Sequence, residues 1–157
     1  MTPTLEAVKA VEAKQAEIVA MIEAIKRQTQ TTEVRIDAVT IPLAAGERLA
    51  GPILNEDGKI SHYVILLPGE AEEVTWADAC KWAEEQGGAL PDRREQSLLY
   101  ANLKAEFQPA WYWSGQAHET NSGWAWFQYF DNGNQSYSSL TYELRARAVR
   151  RFIPSVI

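Results

Sequence analysis

Gln116, His118, Glu119 and Asn121 crowd into one polar stretch, Gln116-Ala117-His118-Glu119-Thr120-Asn121-Ser122, which lies between two tryptophan-rich runs. Asn132, Asn134, Tyr137 and Tyr142 follow shortly after it. Together they offer amides, an imidazole, a carboxylate, hydroxyls and aromatic faces. Loops held on a rigid scaffold use that mixture to recognise carbohydrate or protein. These residues are the candidate ligand-binding set.

Catalysis finds little to work with. His62 and His118 stand apart, without the ligand spacing of a zinc site. Cys80, the sole cysteine, falls on the apolar face of a helix and reads as a core residue, not a nucleophile. No glycine-rich loop precedes a helix, and no Gly-x-Ser-x-Gly elbow is present. Glu72-Glu73 and Glu84-Glu85 read as solvated faces. Asp131, Asn132 and Asn134 could hold calcium, but an Asn-Gly turn accounts for the same residues through backbone geometry. The expectation is a non-enzymatic protein without metal or cofactor.

Charge narrows the partners. The net charge of −6 is uneven: residues 1–32 balance, residues 143–157 carry +3, and residues 33–142 carry −9. Nucleic-acid affinity depends on clustered positive charge, so an acidic body argues against it. No apolar run approaches membrane-spanning length, and the N-terminus lacks the basic-then-apolar pattern of a secretion signal. The reading is therefore no nucleic acid, no membrane insertion and no signal peptide.

The candidate residues need elements to hold them. The spacing predicts a continuous helix over residues 4–32, with a seam of Val8, Val11, Gln15, Ile18, Ile22 and Ile25 at alternating steps of three and four. A helix of that length is marginal alone in water, so the seam calls for a partner. Isoleucine at both seam positions favours more than two strands. We expect residues 1–32 to be a coiled-coil oligomerisation segment forming a homotrimer, and residues 33–157 to be a separate domain.

Within that domain, residues 33–41 alternate loosely and read as a strand, and residues 62–67 form a stronger one. Thr75 and Asp92 cap two helices, each with an acidic residue three positions on, and Gly87-Gly88 ends the first. Beyond Pro109 the chain turns to strands: Trp111–Ser114, then residues 124–130 and 135–140 around an Asp131-Asn132-Gly133-Asn134 hairpin, and finally residues 144–152. On one unbroken terminal strand Arg145, Arg147 and Arg151 share a face that Arg150 does not. Acids such as Glu95 or Asp131 are their expected partners.

Thr75-Trp76-Ala77-Asp78-Ala79, Gly88-Ala89-Leu90-Pro91-Asp92-Arg93-Arg94-Glu95, Tyr112-Trp113-Ser114, residues 124–133 and Arg147-Ala148-Val149-Arg150-Arg151 follow one another in an order that resembles the C-terminal-domain family of Lcl-type collagen-like adhesins. The resemblance covers roughly residues 60–152. It implies an α+β, C-type-lectin-like domain with two helices and a twisted antiparallel sheet, related to formylglycine-generating-enzyme domains and to phage receptor-binding domains. Formylglycine chemistry needs reactive cysteines, which Cys80 alone does not supply. The resemblance implies instead a phage or prophage binding or structural protein that recognises a cell-surface receptor, glycan or protein, or another tail component. A virion, tail-associated location follows from that. The alternative is a small protein in the host cytoplasm that binds and inhibits a host protein. Under either reading most of the tryptophans and arginines belong to the scaffold.

Overall fold

The computed structural model describes residues 4–155 and divides between Ala38 and Val39 into two compact units. The protein is α+β. The first unit is one helix, α1 (Leu5–Thr29), started where the Thr4 hydroxyl accepts from the Ala7 amide at 3.2 Å. It contains neither glycine nor proline, so nothing interrupts its backbone ladder. No residue of α1 is buried; Val11, Ile18 and Ile25 are each more than half exposed. Among the described residues no helix is long and apolar enough to cross a membrane.

The expected strand over residues 33–41 does not form. Residues 30–44 have no regular structure, and Val34 and Ile36 are 83% and 70% exposed. Alternation specifies a strand only where a sheet edge supplies hydrogen bonds and a core covers one face. Neither is present for this stretch.

The second unit holds eight strands and two further α-helices: β1 (Arg48–Leu54), β2 (Ile60–Leu66), β3 (Ala71–Val74), α2 (Trp76–Glu85), α3 (Arg93–Leu103), β4 (Trp111–Ala117), β5 (Trp124–Tyr129), β6 (Gln135–Ser139), β7 (Leu144–Ala146) and β8 (Val149–Phe152). A single 3-10 turn, Lys104–Glu106, follows α3. One sheet has the order β1-β2-β8 and the other β3-β7-β4-β5-β6. The larger sheet is mixed, not wholly antiparallel, because β4 and β7 run parallel at Tyr112 and Arg145.

Both helices begin where the sequence places their caps. Asp92 and Glu95 form a reciprocal capping box, and the Thr75 hydroxyl accepts from the Asp78 amide at 3.4 Å. The core falls into two clusters. Ala79 and Ala83 of α2 pack with Trp113, Phe127 and Ala146, while Leu99 of α3 packs with Val64, Leu66, Tyr112 and Phe130. Strand alternation puts Trp113 and Tyr112 on opposite faces, so the larger sheet is covered on both sides. Trp113 is fully buried and Trp76 partly so, and they donate their indole N–H groups to the carbonyls of Val74 and Ser114, each at 2.9 Å. Those bonds remove the main cost of placing an indole inside. Cys80 packs partly against the α2 cluster, where burial pushes its thiol up from the usual range.

The terminal stretch corrects the sequence reading most sharply. It is two strands in two sheets, broken at Arg147-Ala148: Ala146 pairs with Ala71, and Val149 pairs with Leu66. Face parity therefore does not carry across it. Arg145 binds Glu70 and Glu72, Arg150 binds Glu47, and Arg151 binds Glu95. Among the described residues Arg147 reaches no carboxylate; it donates to the carbonyls of Glu106 and Leu67. Glu95 is a partner as expected. Asp131 is not: its backbone carbonyl accepts from Lys104 at 2.9 Å, and among the described residues no arginine pairs with its side chain.

Candidate functional site

The far end of the β4–β5–β6 layer gathers most of the candidate residues. Trp126 pairs with Tyr137 and Trp124 with Ser139 across β5 and β6. The loop after β4 folds back when the His118 amide donates to the Trp124 carbonyl at 2.9 Å. His118 then sits among three rings: near-parallel to Trp126 with centroids 5.8 Å apart, edge-on to Tyr137 at 4.5 Å and edge-on to Trp124 at 6.0 Å. Its Nδ1 accepts from the amides of Asn121 and Thr120, at 3.1 and 3.3 Å. In the neutral ring the proton therefore lies on Nε2. A nitrogen so occupied is unavailable to a metal, and among the described residues no group of histidine, cysteine and carboxylate side chains is arranged to hold one.

Glu119 accepts from the Trp126 indole at 3.1 Å. A hydrogen bond from its own backbone amide outweighs desolvation and, with that indole, holds its carboxyl below the usual range. Asn121 closes the loop by accepting from the Gly123 amide at 3.0 Å. Trp124 and Tyr137 form a near-parallel pair, centroids 5.1 Å apart and 24° between planes, with 37% and 41% exposure. These two rings present an aromatic surface to water.

Beside them runs an open groove of about 330 Å³ lined by Asp92, Arg93, Arg94, Ser97, Gln116 and Gln135. Arg93 joins groove and rings. Its guanidinium lies 3.5 Å over Trp126, its Nε donates to Gln135 at 2.9 Å, and its nearest Glu119 oxygen is 4.0 Å away. Gln135 in turn donates to the Arg93 carbonyl at 2.7 Å and to Gln128 at 2.8 Å. Such a lattice holds the guanidinium flat, so little rotamer entropy remains to be lost when a ligand binds. Gln116 accepts weakly from the Arg93 amide at 3.4 Å.

The structure thus brings together Gln116, His118, Glu119, Asn121 and Tyr137. It does not bring in the hairpin-tip pair. Asn132 accepts from the Asn134 amide at 2.9 Å, and the Asn134 carbonyl accepts from Tyr129, at the opposite end of β5 from Trp124. β5 spans six residues, so that separation is on the order of 17 Å. Tyr142 lies in the turn after β6, 56% exposed, and its ring makes no aromatic contact with the cluster among the described residues. Sequence reasoning missed Arg93, Gln135 and the exposed face of Trp124. The available signal was weak: Arg93 opens a capped helix, and only the packing of α3 on β4 and β5 turns it towards the rings.

No protein-family model matches this chain, and no curated protein sequence matches it.

Proposed function

We propose that this protein is a non-enzymatic binding module: a head of C-type-lectin-like fold that recognises a cell-surface receptor, presented in three copies by α1. The observation that carries the reading is the exposed Trp124–Tyr137 pair beside the Arg93–Gln116–Gln135 groove. A sugar stacks its apolar C–H face on an aromatic ring and spends its hydroxyls on amides, guanidinium groups and carboxylates. All of those are present here within one surface, which favours a glycan over an extended protein epitope.

Two helices followed by a tryptophan-rich hairpin and a returning C-terminal strand support the lectin-like assignment. The exposed seam of Val8, Val11, Ile18, Ile22 and Ile25 supports self-association. Three weak heads on one stalk gain avidity for repeated receptors. A tail-associated place on a phage particle fits that arrangement.

Binding of the full chain to an array of bacterial surface glycans tests the reading. Capture that falls by about three- to tenfold in Trp124→Ala and Tyr137→Ala is expected, since one stacked ring is worth about 0.5–1.5 kcal/mol. Glycan capture that both variants retain in full would place the site elsewhere.

A further inference from the structure

A second groove, of about 400 Å³, opens near Trp111 and Tyr129, lined also by Glu72, Glu73, Glu143 and Arg145. Trp111 pairs with Tyr129, and strand alternation puts both on the face of the larger sheet opposite Gln128 and its partner Gln135. We propose that this groove binds an arginine side chain of a protein partner. This site is separate from the glycan surface, and the proposal does not depend on that reading.

The floor of the groove is aromatic and rigid. Trp111 stacks on Phe127 with centroids 5.0 Å apart and meets Tyr129 edge-on at 6.2 Å, yet stays 47% exposed. Its indole N–H has no acceptor among the described residues, whereas Trp76, Trp113 and Trp126 all donate within the chain. A fixed indole face in water is the best side-chain surface for a cation.

The walls are acidic in a specific way. The bulge in β3 between Ala71 and Val74 exposes Glu72 and Glu73 together, where regular alternation would send one of them inward. Arg145 is already neutralised, by Glu70 at 2.7 Å and Glu72 at 2.9 Å. Glu73 and Glu143 have no cation within 4.0 Å among the described residues. The lining residues carry three carboxylates against one guanidinium, a net −2, on a chain of net −6.

Aromatic floor and unpaired carboxylates together suit a planar guanidinium, which stacks on the indole with its face and donates to the carboxylates with its N–H edge. An ammonium group matches the charge but not the plane.

Chemical-shift titration of the uniformly ¹⁵N-labelled full chain, read at the Trp111 indole signal and assigned through Trp111→Phe, tests this. The probes are N-acetyl-arginine methylamide and its neutral isostere N-acetyl-citrulline methylamide. We expect the arginine probe to bind at least about fivefold more tightly than citrulline, and Glu73→Gln with Glu143→Gln to remove most of that difference. Both glutamates are exposed and unpaired, and unchanged signals elsewhere in the spectrum will confirm that the variant is folded. Equal affinity for the two probes, or full discrimination retained in the double variant, would overturn the proposal.

Discussion

The carboxylate of Glu95 and the guanidinium of Arg151 meet as a two-bond pair, at 2.6 and 2.8 Å, that ties the start of α3 to β8. Glu95 is fully buried; it also accepts from the Asp92 amide at 2.9 Å and lies 3.0 Å from Nε2 of His62. One side chain thus completes a helix cap and an ion pair between elements.

Glu95→Gln keeps the shape but leaves Arg151 without its counter-charge. A loss of about 2–4 kcal/mol in urea unfolding is expected, towards the low end because Arg151 is partly in water. Burial alone would push the Glu95 carboxyl up, but the Arg151, Asp92 and His62 contacts together hold it below the usual range. A carboxylate lowered in the native state contributes stability that is complete above the ordinary value of about 4.3 and is lost as pH falls through the native one. The wild-type midpoint should therefore drop as the pH falls below about 4, and Glu95→Gln should flatten that slope. An unchanged slope would place the acid sensitivity elsewhere.

Gly87 and Gly88 serve different physical ends. Gly87 has φ +86° at the end of α2, the left-handed position that closes a helix. Gly88 passes so close to the Val149 carbonyl that an added Cβ would overlap it, next to the Ala89–Val149 bridge. Gly87→Ala should cost about 1 kcal/mol. Gly88→Ala should cost more, about 2–3 kcal/mol, because backbone and not a flexible side chain stands in the way. Thermal unfolding of the two variants will rank them, and the reverse order would contradict this account.

Arg147 is a buried cation whose hydrogen-bond partners among the described residues are carbonyls, at 2.6 Å to Glu106 and 2.9 Å to Leu67, with its guanidinium 5.3 Å from the Phe107 ring. Burial pushes its pKa down from the usual arginine value. Arg147→Met fills the space with hydrocarbon but strands both acceptors, for a cost of about 2 kcal/mol. Equilibrium denaturation should show that loss, and a neutral result would mean that water replaces the guanidinium.

Ile22 is the fifth of the six seam positions on α1 and is 47% exposed. Ile22→Asp puts one charge per helix into a single layer of an associated seam, and the mass seen by light scattering should fall roughly threefold, from trimer to monomer. Wild-type protein that is already monomeric at micromolar concentration would end the trimer reading.

Local features were legible because their causes are local. Thr75 and Asp92 cap helices through atoms three residues away, and Gly133 takes φ +81° in the Asn-Gly turn whatever surrounds it. The α1 helix was legible for the same reason, since periodicity depends only on spacing. The scaffold reading of the tryptophans held for Trp113, which is fully buried, but Trp111 and Trp124 remain 47% and 37% exposed. Residue type does not reveal which end of a ring the next layer covers.

By itself, then, the sequence determined where helices begin, where the hairpin turns, and that His118, Glu119 and Asn121 share one loop; α1 stops at Thr29, short of the expected residue 32. Only the tertiary structure decided that residues 144–152 serve two sheets, that Glu95 is the acid of Arg151, and that Arg93 lies over Trp126. Caps, turns and periodicity arise within a few residues of chain. Pairing across 56 residues, as between Glu95 and Arg151, depends on how layers stack, and many stackings satisfy the same local pattern.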